Sequence, residues 1–116
     1  MAALRRYYYL IMARIIDRGN ELELSLTKRE KLASLHGNLI ANKSDLTSRK
    51  VVENPWRSGL LKGVRAPGTA IPYYLLVGTM RYKGGKDFTI IYRNKPVEVF
   101  EFKGGPYKRW IISKEK

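Results

Sequence analysis

The chain has 116 residues, enough for one domain and too few for two of ordinary size. Lysine plus arginine number 23 against 10 acidic residues, a formal net charge of +13, and 44% of residues are hydrophobic, enough for a core and too many for a disordered tail. Cysteine is absent and histidine occurs once, at His36, which excludes disulfides, zinc–thiolate and iron–sulfur sites, thiol nucleophiles and any two-histidine metal site.

Residues 1–16 place Arg5 and Arg6 before the run Tyr7-Tyr8-Tyr9-Leu10-Ile11-Met12, in the manner of a secretory signal. Arg14, Asp17 and Arg18 cut that run short, and no small-residue cleavage pattern follows. Met12 is an alternative start. Residues 1–11 therefore read as an extension of unassigned structure, and residues 12–116 as a single domain. No run approaches the roughly 18 apolar residues that span a bilayer. The expected location is cytoplasmic, with peripheral membrane attachment as a variant.

Residues 13–17 and 21–26 predict two strands joined at Arg18-Gly19-Asn20, where two residues tolerate positive φ. Leu22, Leu24 and Leu26 alternate with Glu21, Glu23 and Ser25, which puts the two glutamates on an outer, solvated face. Thr27-Lys28-Arg29-Glu30 fits a capping box and opens a short helix. Leu32 and Leu35 share one face of it, and Gly37 is placed to end it. His36 then interacts with the helix terminus. Residues 39–41 and 49–53 predict short strands around a polar turn, the second ended by Asn54-Pro55. Residues 56–70 read as a long irregular loop. Residues 71–82 predict a long strand with a bend at Gly78. Strands at 87–93, 97–102 and 108–113 follow, punctuated by glycine turns. About eight strands with one helix predict a mainly β, antiparallel sandwich or small barrel with no parallel α/β layer.

Residues 26–113 resemble a family of small uncharacterised bacterial and archaeal proteins with a pleckstrin-homology-like (PH-like) domain. The likeness rests on Lys31-Leu32-Ala33-Ser34-Leu35-His36-Gly37, on Asn54-Pro55-Trp56 and on Leu61-Lys62-Gly63-Val64-Arg65-Ala66-Pro67-Gly68-Thr69. It continues in Val77-Gly78-Thr79-Met80-Arg81 and Gly84-Gly85-Lys86-Asp87-Phe88. The resemblance implies a bent antiparallel barrel of about seven or eight strands. It also implies a closing C-terminal helix, for which no pattern follows Ser113. That departure predicts either exposed Trp110 and Phe102 or a partner covering them.

Gly63 and Gly68 have the spacing of a phosphate loop, but Thr69 stands where lysine is required and no helix pattern follows. The segment is either a rigid turn or an anion-binding loop using Arg65. Residues 57–95 carry eight basic residues against Asp87 alone. Their charge is either a solvated face or the site of an anionic partner. No acid–base pair, nucleophile or metal-ligand cluster is legible, so the expectation is a protein that is not an enzyme and uses no cofactor or metal. Candidate ligand-binding residues are Trp56 as apolar anchor and Arg57, Lys62, Arg65, Arg81, Lys83 and Lys86 as cations. The expected partner is a protein or an anionic surface, acidic lipid headgroups included. A homo-oligomer remains open. The alternative is charge-driven, nonspecific nucleic-acid binding, with Tyr73, Tyr74, Tyr82, Tyr92 and Tyr107 as stacking platforms.

Overall fold

A computed structural model describes residues 12–114. The extension of residues 1–11, with all of the signal-like run before Met12, lies outside the described residues. The fold is mainly β, with one helix and two sheets. The strands are β1 (Arg14–Asp17), β2 (Glu21–Ser25), β3 (Leu39–Asn42), β4 (Leu46–Val52), β5 (Val64–Ile71), β6 (Leu75–Tyr82), β7 (Gly85–Tyr92), β8 (Val97–Phe102) and β9 (Arg109–Ser113). The helix, α1 (Lys28–Ser34), lies between β2 and β3.

Strands β1, β2 and β3 form a small antiparallel sheet. The other six run in the order β4-β8-β9-β7-β6-β5. This larger sheet is open, with β4 and β5 at its edges, so the barrel expectation gives way to two stacked sheets. It is also not wholly antiparallel: β9 pairs antiparallel with β8 but parallel with β7. No helical crossover is needed, because β8 itself carries the chain across the slot that β9 then fills.

Period-two alternation divides the large sheet between two cores. Val77, Phe88, Ile90, Phe100, Trp110 and Ile112 face the small sheet, where Leu22, Leu24 and Leu39 meet them. Leu76, Met80, Ile91, Val97, Val99 and Ile111 face the other way, under Val52, Trp56, Leu60 and Leu61 of the connection before β5. Trp110 is 1% exposed and Phe102 6%, both inside the first core. The expected bare or partner-covered surface at these residues is therefore absent; the small sheet covers them.

The capping box forms as expected, with Thr27 and Glu30 bonded reciprocally. The remainder of the helix departs from the pattern. Leu35, at φ 55°, takes the left-handed position assigned to Gly37, which ends the helix earlier. Leu32 and Leu35 point outward, 76% and 68% exposed. The helix instead buries Glu30 and Ser34. Glu30 accepts from the N–H groups of Ala13 and Thr27 and from the Tyr92 hydroxyl, so a carboxylate staples three elements. Glu23 is also buried rather than solvated, since it accepts from Arg18 and Asn38.

The second half of the predicted 56–70 loop is strand β5. A register shift between Arg65 and Gly68 marks a bulge there. Gly68 lies opposite Gly78 on β6, and the backbones approach so closely that a Cβ on Gly78 would lie 2.4 Å from the Pro67 carbonyl oxygen. A Cβ on Gly63 would lie 2.1 Å from the Arg81 carbonyl oxygen. The most specific sequence run is thus a bulged edge strand held against its neighbour. It is a strand, not the rigid turn that the spacing suggested.

Candidate functional site

Strands β6 and β7 form a long hairpin that turns at Lys83-Gly84, with Tyr82 opposite Gly85. Its two ends are about 23 Å apart, seven residue steps of roughly 3.3 Å. The seven candidate residues distribute themselves between these ends and between the two faces of the sheet.

At the turn end, on the face away from the small sheet, Asp87 is buried and accepts two hydrogen bonds from Arg109, at 3.0 and 2.6 Å, and one from the Tyr82 hydroxyl at 2.6 Å. Arg109 also donates to the Leu60 carbonyl, which fixes the connection that carries Lys62. Burial, with the Asp87 hydrogen bond second, pushes the Tyr82 hydroxyl up to about 12. Burial opposes the Arg109 charge, but the Asp87 hydrogen bonds outweigh it and hold the guanidinium above its ordinary value.

Around this locked centre lies an open groove of about 360 Å³ lined by Lys62, Lys83, Lys108, Tyr82 and Glu101. Lys62 Nζ sits 4.5 Å from the centre of the Tyr82 ring. Gly85 makes room for Lys108: a Cβ there would lie 2.5 Å from Lys108 Cγ. Among the described residues, Lys62, Lys83 and Lys108 have no carboxylate within ion-pair distance. Glu101 is engaged by Lys50 at 3.7 Å. Lys108 was absent from the candidates, because its place on this groove depends on the parallel pairing of β9 with β7.

Lys86 does not join that groove. Cross-strand partners share a face, so Lys86 and its partner Arg81 lie on the small-sheet side. There Lys86 Nζ sits 4.7 Å from the Tyr107 ring centre. Arg65 lies on edge strand β5, opposite Met80.

Trp56 and Arg57 occupy the far end of the hairpin. Trp56 donates its indole N–H to the Arg93 carbonyl at 2.8 Å and packs 5.5 Å from the Tyr73 ring. Arg57 lies 5.4 Å from the Tyr73 ring centre, and Arg93 lies 5.3 Å from that of Tyr74. The backbone is strained here: Asn54, Tyr73 and Arg93 all adopt positive φ without being glycine. Tyr73 follows Pro72 in a tight turn closed by Tyr74 N–H to the Ile71 carbonyl, at the position where glycine is the relaxed choice.

Among the described residues no three His, Asp or Glu side chains converge as a metal-ligand set, and no helix is long and apolar enough to cross a membrane. No protein-family model, curated protein or solved structure matches the chain.

Proposed function

We propose that the chain is a non-catalytic binding module that takes the acidic surface of a partner on the lysine groove at the β6–β7 turn. The observation that carries this reading is the convergence of Lys62, Lys83 and Lys108 with no carboxylate in ion-pair distance of them among the described residues, Glu101 of the same groove being paired with Lys50. Exposed ammonium groups make diffuse, salt-sensitive contacts, which suits phosphate or carboxylate on a surface. The non-catalytic part rests on the buried carboxylates. Glu23, Glu30 and Asp87 are each held by structural hydrogen bonds, which leaves none poised for proton transfer. The PH-like kinship belongs to this proposal; a mainly β chain with one helix supports it in outline.

A second reading has its own observation. The Trp56–Tyr73–Arg57 cluster combines aromatic faces and guanidinium groups in the way that single-stranded nucleic acid is bound. Elution from a sulfated polyanion resin separates the two. The triple variant Lys62→Gln, Lys83→Gln, Lys108→Gln is expected to elute at clearly lower salt, with the salt dependence reduced by up to about one unit per charge removed. Trp56→Ala with Arg57→Gln should elute like the parent. The reverse pattern would move the site to the aromatic end. Flotation with anionic and neutral vesicles then tests an acidic lipid surface as the source, and equal recovery on both would exclude it.

A further inference from the structure

Tyr82 and Gly85 are cross-strand partners at the β6–β7 turn and share one face of the sheet. Each seats a lysine from elsewhere in the chain. Lys62 Nζ lies 4.5 Å from the centre of the Tyr82 ring, and the ring is held in turn by its hydroxyl bond to Asp87. The Lys108 stem runs over bare Gly85, where a Cβ would lie 2.5 Å from Lys108 Cγ and 3.1 Å from Lys108 Cε. The two seats are neighbours, since side chains directly opposite in an antiparallel pair stand about 5 Å apart.

Both lysines are also fixed through the backbone. Arg109 holds the Leu60 carbonyl, and Gly63 lies too close to the Arg81 carbonyl to admit a Cβ, so the connection is pinned on either side of Lys62. Lys108 donates its backbone N–H to the Lys86 carbonyl at 2.8 Å. Lys83 differs: it lies on the turn itself, beside Gly84 with open space around it. Lys62 and Lys108 thus stand as two exposed ammonium groups on adjacent seats, with no carboxylate in ion-pair distance among the described residues. Like charges held close repel, and a single monoanion offsets only one of them. A phosphomonoester brings a charge of about −1.5 to −2 and three acceptor oxygens, which answers both.

We propose that Lys62 and Lys108 form a two-pronged clamp for a phosphomonoester group, with Tyr82 and Gly85 as the positioning residues that set the prongs. The inference rests on the groove reading above and narrows its ligand from any acidic surface to a compact dianion. Lys83 adds to the field on approach without a fixed contact.

The test is an amide chemical-shift titration of the full chain with methyl phosphate and with acetate at one ionic strength. Saturable shifts centred on Lys62, Tyr82, Gly85 and Lys108 are expected with methyl phosphate, at an affinity about tenfold above that of acetate. Gly85→Ala displaces the Lys108 stem and Tyr82→Leu removes the Lys62 seat, and each should weaken methyl phosphate binding about tenfold, the loss of one charge-assisted contact. Neither removes a charge, so both should still elute from the sulfated polyanion resin at the parent's salt. Tyr82→Phe keeps the ring and should bind like the parent. Gly85→Ala leaves the Tyr82–Asp87 bond in place, so it remains informative if Tyr82→Leu fails to fold. Flotation on phosphatidic acid against phosphatidylglycerol vesicles shows whether a lipid carries the group; equal recovery on both would count against a dianion clamp. Acetate binding as tight as that of methyl phosphate, or indifference to Gly85→Ala, would overturn the proposal. Parent-like elution of the triple lysine variant would instead overturn the groove reading itself.

Discussion

The two ends of the β6–β7 hairpin carry charge of the same sign and use it differently. At the turn end the groove lysines are left unneutralised around a buried, fully bonded centre of Asp87, Arg109 and Tyr82. At the far end the guanidinium groups of Arg57 and Arg93 are already spent on the rings of Tyr73 and Tyr74, over a strained backbone. Net charge alone therefore does not locate a binding surface. What matters is whether the cations have partners within the fold: Lys62 rests on the Tyr82 ring as Arg57 and Arg93 rest on theirs, so the difference between the ends falls on Lys83 and Lys108.

The largest effect expected at either end comes from the buried centre of the turn end. Asp87→Ala leaves Arg109 buried without its counter-ion and should cost about 3–5 kcal/mol in urea unfolding. It should also release the Leu60 carbonyl, so that Lys62 loses its fixed position. A loss under about 1 kcal/mol would mean that the groove does not depend on this centre.

The next effect tests the frame that joins the two ends. Gly78→Ala drives a Cβ onto the Pro67 carbonyl oxygen, at a backbone φ of 149°. A loss of about 2–3 kcal/mol is expected by the same measurement.

An alkaline titration reports on Tyr82 at the turn end beside Tyr92 at the far end, whose hydroxyl burial also pushes up. The folded-state value of Tyr82 lies above its ordinary value of 10, so the folded state prefers the protonated hydroxyl. That contribution is complete below pH 10 and is lost as pH rises toward about 12, because the unfolded chain ionises first. Stability should therefore fall with pH in this window, and Tyr82→Phe should make the fall shallower, with the Tyr92 contribution left in place. An unchanged slope would show that Tyr82 is not coupled to Asp87.

The smallest effect belongs to the aromatic end. Tyr73→Gly removes about 1–2 kcal/mol of left-handed strain and forfeits about 0.5–1.5 kcal/mol of ring contact. The net change should lie between a loss of about 0.5 and a gain of about 1.5 kcal/mol, read as a small shift in melting temperature. A marked destabilisation would make Tyr73 a structural anchor of this end.

Local chemistry was legible in the sequence where it acts over a few residues. The Thr27–Glu30 capping box, the Gly19 and Gly84 turns and the alternation of residues 97–102 all stand as read. What was not legible depends on distant chain. Leu32 and Leu35 share a face by spacing, but Tyr92 and Ala13 select the Glu30 face for burial. Residues 64–71 look irregular because Gly68, with Gly63 just before the strand, serves contacts with β6 rather than a strand alternation. Nearness in sequence cannot show that Lys86 turns away from Lys83 while Lys108 joins it.

The placement of β9 bears on how the chain reaches this state. Strands β7 and β8 must lie two strand spacings apart, about 9.6 Å, with nothing between them until residues 109–113 enter. Without β9 the observed pairings would leave two groups of strands, β4-β8 and β7-β6-β5, with facing unpaired edges and the first core without Trp110. The large sheet is therefore continuous only when β9 is in place, paired to β8 on one side and β7 on the other. A nascent chain halted before that strand would carry two adhesive edges at once, so the segment that completes the structure is also the one that protects it from other copies of itself.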